Sequence, residues 1–349
     1  MSASLEELGG WPGVLGPLTS GTDLTAEQAA AAMHEILSGD ATSAQIAGFI
    51  VALRMKGETI EEMAGLLDAM DEAAEHVVLS SVDDVVDIVG TGGDRSHSIN
   101  VSTIAALVVA GAGARVCKHG NRAASSLCGA ADVLEALGVV IDLGPEGVAR
   151  CIEEAGMGFC FAPRFHAAMR HGIPTRRELG VPTVFNFLGP LANPARVHRH
   201  LVGVSDARMA EKMAGVLRAR GSKRALIVYG HDGLDELTTT TTSSVVELGE
   251  DGEIFRYEVD PAAYGLAKSE PAQLRGGDPA HNSVAARRVL DGEPGPHRDV
   301  VVLNAAAALV AAGRAADIAE GLNVAAAAID DGRATTALDA LVKASSDAA

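Results

Sequence analysis

Near residue 82 the pattern of this chain changes. Up to about residue 76 nothing reads as a strand. Then Val85-Val86-Asp87-Ile88-Val89 forms a β-branched run ending at Gly90, followed by a glycine-rich turn and a long apolar helix from about Ser102 to Ala112. The same alternation recurs. Ala114-Arg115-Val116-Cys117 leads into Lys118-His119-Gly120, and later strands are expected at Leu201–Val204 and Ala225–Tyr229. Strands alternating with helices demand an α/β sheet with parallel crossovers. Val245–Leu248 and Glu253–Val259, on either side of Asp251-Gly252, read as a hairpin.

The preceding segment is helical for local reasons. Thr25 with Gln28, Thr42 with Gln45 and Thr59 with Glu62 each fit S/T-x-x-E/Q, in which two side chains satisfy each other's free backbone N–H. Apolar residues follow at helical spacing, as in Ile46, Phe49, Ile50 and Leu53, and Gly39 and Gly57 stand where helix C-caps belong. The Phe165–Pro194 stretch, rich in His, Arg and Pro, predicts short helices with sharp stops and a return to the helical domain. The expected division is 1–76 with an excursion at about 168–194 for the helical domain, and 77–167 with 195–349 for the α/β domain. The alanine-rich stretch from Asp299 onward predicts helices.

Charge narrows the function. Lys plus Arg is 28 and Asp plus Glu is 46, a formal net charge of −18, with 3% aromatic residues. Such a chain repels polyphosphate chains and lacks stacking platforms, so no nucleic-acid partner is expected, and a small anionic substrate needs a local basic pocket or a metal ion. No apolar run spans a bilayer and the N-terminus does not read as a signal peptide, so a soluble cytoplasmic protein with no membrane partner is expected. Cys117, Cys128, Cys151 and Cys160 show no C-x-x-C spacing and read as buried thiols of a reducing compartment.

Four stretches carry chemistry. Gly90-Thr91-Gly92-Gly93-Asp94, running on to Asn100-Val101-Ser102-Thr103, offers a close backbone approach and helix N-terminal donors to an anion; a plain βα turn with an N-cap fits as well. Lys118-His119-Gly120-Asn121-Arg122, followed by Ser125 and Ser126, suits phosphate recognition by a loop after a strand. Asp235-Glu236, after Asp232-Gly233, supplies hard oxygen ligands for Mg²⁺ or simply closes a turn. Arg164, His166, Arg170 and His171, with Arg176 and Arg177 beyond, read as polar pocket or surface residues rather than metal ligands.

Taken together and in order, these stretches resemble the anthranilate phosphoribosyltransferase family, as does Asn186-Phe187-Leu188-Gly189-Pro190-Leu191-Ala192-Asn193-Pro194, over nearly the whole chain. The resemblance implies a small all-helical domain plus a larger α/β domain with a central, mostly parallel sheet, and a homodimer joined through the helical domains. It implies transfer of a phosphoribosyl group from phosphoribosyl diphosphate (PRPP) to anthranilate in tryptophan biosynthesis, with Mg²⁺. By the same analogy PRPP lies against Gly90, Gly92, Gly93, Asp94, Asn100, Ser102, Thr103, Lys118 and Ser125. Ser102, Asp235 and Glu236 hold the metal, and Asn121, His166 and Arg176 take the anthranilate. His119 and Arg176 stand as the catalytic pair. His97 departs from the family's usual Asn, Ser98 from its usual Thr, and Cys128 from a small residue. A pyrimidine nucleoside phosphorylase of the same fold class and a non-enzymatic nucleic-acid binder are the rival readings. The first should use inorganic phosphate, and the second should need a basic surface.

Overall fold

The computed structural model describes residues 3–123 and 126–349. Four helices come first: α1 (Gly10–Thr19), α2 (Ala26–Ser38), α3 (Ser43–Lys56) and α4 (Ile60–Glu72). All three expected capping boxes form at Thr25, Thr42 and Thr59, and Gly39 closes α2 with a left-handed φ of 85°. The α/β part then runs β1 (Val85–Gly90), α5 (Val101–Gly111), β2 (Arg115–Gly120), α6 (Ala130–Ala136), α7 (Pro145–Ala155) and β3 (Met157–Phe161). Short helices α8 (Ala162–Phe165), α9 (Ile173–Leu179) and α10 (Phe185–Leu188) precede β4 (Arg199–Gly203), α11 (Ala207–Ala219) and β5 (Arg224–Gly230). The chain ends with β6 (Ser243–Leu248), β7 (Ile254–Val259), α12 (Pro279–Leu290), α13 (Pro296–Ala311), α14 (Ile318–Asp330) and α15 (Arg333–Asp347).

The seven strands form one sheet in the order β3-β2-β1-β4-β5-β6-β7. The first five are parallel, and β6 and β7 are the expected antiparallel hairpin. The chain moves outward from β1 to β3 and then returns to β4 on the other side of β1. A ligand crevice belongs at such a reversal, beyond the carboxyl ends of the strands.

Side chains alternate across the sheet, so each face has its own core. Leu201, Leu226, Val228 and Val245 face α5 and the C-terminal helices, where α13 is buried without interruption from Val300 to Ala311. Val202, Ala225, Ile227 and Val246 face the other way. They join a cluster that includes Phe49, Ile50 and Leu66 of the first four helices, Met213 and Leu217 of α11, and Val184, Phe185, Phe187 and Leu188. Each fully buried Leu, Ile or Phe there contributes roughly 1.5–3 kcal/mol. The helical segment is therefore welded to the sheet through α11 and the 184–192 segment.

Candidate active site

The site begins with a defect in the sheet. β1 and β4 stay in register to Gly90–Gly203, and β2 and β3 to Gly120–Phe161, but the β1–β2 ladder ends at Val86–Val116. Side chains fill the seam. Asp87, fully buried, accepts from the His119 N–H at 3.0 Å and from Asn193 Nδ2 at 2.8 Å. Burial pushes the Asp87 carboxyl up to about 6, against the pull of those hydrogen bonds and of Lys118. Lys118 Nζ donates to the Ile88 carbonyl and lies 3.3 Å from Ser102 Oγ. Lys118 and His119 are thus the buried end of β2, 1% and 4% exposed, and not part of a loop after that strand, where the sequence reading expects them. Burial pushes the Lys118 ammonium down, while Asp87, Glu236 and Asp235 push it back up.

His119 Nδ1 lies 3.1 Å from the Gly189 carbonyl, which assigns the ring proton to Nδ1. Its Nε2 is buried and has no partner among the described residues. Burial, with His166 beside it, holds the imidazole down at about 3, so it is neutral at any ordinary pH. The His166 ring is 5.1 Å away, and its Nε2 donates to the Ala192 carbonyl at 2.9 Å.

Across the seam, at the reversal point, lie the carboxylates. Asp235 Oδ2 accepts from the Gly92 N–H at 2.7 Å, and Glu236 Oε1 from the Ser102 N–H at 3.1 Å. Only glycine fits beneath them: a Cβ at Gly90 would stand 2.5 Å from Asp235 Oδ2, and one at Gly203 would stand 1.6 Å from the Asp235 carbonyl oxygen. Asn304 of α13 clamps the next residue, accepting from the Leu237 N–H at 2.9 Å and donating to its carbonyl at 2.8 Å. Burial raises Asp235 to about 7, helped by the nearby Asp94 charge, and raises Glu236 to about 8, helped by Asp235. A divalent cation between two adjacent buried carboxyls would offset both their burial and the Asp235 charge that acts on Glu236. Among the described residues no group of three or more His, Cys, Asp or Glu builds a protein-only metal cage. That donor set fits Mg²⁺, which takes one or two carboxylates and completes its shell from waters and substrate phosphates.

The remaining expected residues divide. Gly92 and Gly93 have left-handed φ of 68° and 80°, and Asp94 follows on the same loop. Arg95 and His97 are also left-handed, at 59° and 54°, a conformation that Asn adopts more readily than most residues. Asn100 spends its amide within the scaffold, donating to the Cys128 carbonyl at 3.1 Å and accepting from Asn282 at 2.8 Å. Thr103 Oγ1 is buried without a partner among the described residues, one residue after Ser102 at the start of α5. Asn121 is exposed and accepts from the Arg122 N–H, and Arg122 pairs with Asp132 and Glu135. Ser125 lies outside the described residues. On α9, the Arg176 guanidinium stacks 5.1 Å from the Phe185 ring centroid. Phe185 starts α10, one turn before Gly189, the partner of His119. A cavity of about 560 Å³ adjoins the glycine loop, lined by Gly93, Asp94, Arg54, Phe187, Asp206 and Arg208. It does not reach His119 or the carboxylate pair, so the buried groups and not this cavity define the site.

Asp87, Asn193 and Asn304 carry no sequence expectation of a role. The signal was present for Asp87, a lone carboxylate inside a β-branched run, because a buried charge needs partners.

This fold and this arrangement define a class. The family model described as "Glycosyl transferase family, helical bundle domain" matches residues 13–74, and "Glycosyl transferase family, a/b domain" matches residues 82–335. A protein of Rhodococcus jostii named anthranilate phosphoribosyltransferase is 55% identical, over 94% of this chain and 91% of its own length. The anthranilate phosphoribosyltransferase structure from Thermus thermophilus superposes with a TM-score of 0.90 at 42% identity, over 95% of this chain and 99% of that one. The Saccharomyces cerevisiae enzyme, in complex with PRPP and Mg, gives a TM-score of 0.87 at 27% identity, over 97% and 98%. The chain belongs to the anthranilate phosphoribosyltransferase family.

Proposed function

We propose that this chain transfers the phosphoribosyl group of PRPP to the amine of anthranilate and releases diphosphate, a step of tryptophan biosynthesis. The observation that carries the reading is the buried Asp235–Glu236 pair, hydrogen-bonded to the Gly92 and Ser102 amides at the sheet's reversal point. The yeast relative bound to PRPP and Mg, and its complex with 4-fluoroanthranilate, support it.

The bond from the anomeric carbon to the diphosphate oxygen breaks with its electron pair leaving on diphosphate, and a bond to the amine nitrogen forms. Asp235 and Glu236, with Ser102 assisting, would hold Mg²⁺, which when bound would supply positive charge toward the diphosphate. The Gly93 amide and the hydroxyls of Ser102 and Thr103 at the start of α5 present donors to anionic oxygens, while Gly92 and Asn100, engaged by Asp235 and by the scaffold, shape the loop around them. Gly90 leaves room for Asp235, Asp94 borders the diphosphate, and Lys118 and Ser125 add a cation and a hydroxyl. Arg176 takes the anthranilate carboxylate, with Asn121 and His166 lining the pocket. The aromatic amine is neutral before attack and strongly acidic afterwards, so a weak acceptor suffices. The free Nε2 of neutral His119 is that acceptor.

The domain division proposed is 1–76 with 168–194 against the remainder, which the shared core of the first four helices and the 184–192 segment supports. A homodimer through the helical segment is proposed as well. The family resemblance supports it, and so does Met55 of α3, 84% exposed at the surface of that segment. A cytoplasmic location is proposed from four buried free cysteines. Among the described residues no helix is long and apolar enough to cross a membrane. The test is loss of anthranilate fluorescence on adding PRPP and Mg²⁺. Absence of turnover, or equal turnover in EDTA, overturns the reading, and sedimentation as a monomer at micromolar concentration overturns the dimer.

A further inference from the structure

The seam between β1 and β2 is closed entirely by polar side chains. Past Val86–Val116 the two strands share no ladder, although each remains paired with its outer neighbour. Asp87 uses one oxygen on the His119 N–H and the other on Asn193. Asn193 gives its amide also to the Cys117 carbonyl at 2.8 Å, and its own oxygen accepts from the Ala195 N–H at 2.9 Å. Both residues are buried, with hydrogen-bond partners on every polar atom of their side chains, so neither is turned toward a ligand. What they hold is β2 at Cys117 and His119, the residues on either side of Lys118. An apolar residue at position 87 and a continuous ladder would close the same gap without burying a carboxylate beside an ammonium, an arrangement whose desolvation is costly.

We propose that Asp87 and Asn193 are positioning residues for the transfer. In place of the missing ladder they bridge the ends of β1 and β2. They thereby set the His119 ring against Gly189, with Nε2 free, and Lys118 against Ser102. Neither touches a substrate. The kinetic part of this inference rests on the function proposed above, while the placement of His119 stands independently of it.

Asp87→Asn keeps the shape of the side chain but turns one acceptor into a donor, so either the His119 N–H or the Asn193 amide meets another N–H. Asn193→Ala removes the bridge and leaves the carboxylate. Both variants are prepared as full-length protein and compared by thermal unfolding, by NMR of ¹⁵N-histidine-labelled protein and by steady-state kinetics. The His119 resonances are identified from their loss in His119→Gln. The expected result is folded protein in which the His119 ring resonances move from their wild-type positions. The kcat should fall on the order of tenfold or more, with KM for both substrates changed much less, as for a misplaced group that does not bind them. Unmoved His119 resonances in a folded variant, or an unchanged kcat, would overturn the inference. If only Asn193→Ala folds, it decides alone; failure of both to fold assigns the pair a purely structural role and also overturns it. A wild-type protein without transferase activity refutes the proposed reaction, and the NMR comparison still decides the placement.

Discussion

Gly203→Ala probes the site without touching a charged group. An added Cβ would lie 1.6 Å from the Asp235 carbonyl oxygen and 2.6 Å from its carbon, whereas ordinary contact begins at 3.4 Å. Something must move by about 1.8 Å, the difference between 3.4 and 1.6. β4 is poorly able to do so, being laddered to Gly90 on one side and Val228 on the other. The Asp235–Glu236 segment moves instead and pulls both carboxylates from Gly92 and Ser102. A misplacement of about 1 Å at a reacting constellation costs on the order of a hundredfold, roughly 2.7 kcal/mol of transition-state stabilisation. We expect kcat/KM to fall by at least about that factor, and the Mg²⁺ concentration giving half-maximal rate to rise. The assay is anthranilate fluorescence across a Mg²⁺ titration, with a thermal melt on the same sample. A folded variant with wild-type kcat/KM and Mg²⁺ dependence, whether or not its Tm falls, refutes the reasoning.

Arg176→Ala should raise the KM for anthranilate by about ten- to a hundredfold, the loss of a charge-assisted contact, and leave that for PRPP nearly unchanged; the opposite pattern puts Arg176 in the other subsite. Asp235→Asn and Glu236→Gln should each cut kcat/KM by at least about tenfold, roughly 1.4 kcal/mol, with partial recovery at high Mg²⁺; near-normal kinetics in both returns the pair to a turn. Burial holds His200 neutral, its pKa pushed down to about 4, whereas the unfolded chain takes up that proton near the usual 6.5. Its effect on stability is therefore nil above about 6.5 and destabilising as pH falls toward 4, reaching about 2 kcal/mol at about pH 5. His200→Gln should accordingly cost less stability at about pH 5 than at about pH 7.5, by about that amount in denaturant melts; an equal cost at both pH values rejects the assignment.

Local chemistry was readable and distant pairing was not. The three threonine caps, the β6–β7 hairpin and the strand–helix alternation follow from residues within a turn or two of one another, and they form where expected. The glycine loop and Asp235-Glu236 could be named as chemistry-bearing, but their meeting could not be derived from spacing. Gly92 and Asp235 are 143 residues apart, and Ser102 and Glu236 are 134. The end of β2 was misread because polar residues after a short apolar run normally mark a loop. Lys118 and His119 stay in the strand because Asp87 and Ile88 of β1 and Gly189, just after α10, satisfy them from two different segments.

The electrostatics of the seam explain why an acidic protein suits a polyanionic substrate. Lys118 faces Asp87, Asp235 and Glu236, so with all three ionised its one positive charge is outnumbered. A diphosphate brought to this group would be repelled, and burial pushes the Asp235 and Glu236 carboxyls up in the direction that lessens the negative excess. A divalent cation held there, as proposed, would relieve it better and would reverse the sign of the field at the glycine loop. The net charge of −18 discourages unaccompanied polyphosphates over the surface, whereas the proposed site would favour a diphosphate that arrives with a divalent cation. On the proposed function, selectivity for a metal-bound sugar diphosphate would follow from the burial of Asp87, Asp235 and Glu236 around Lys118, and Asp87 can bridge to β2 because the β1–β2 ladder stops four residues short of the strand's end.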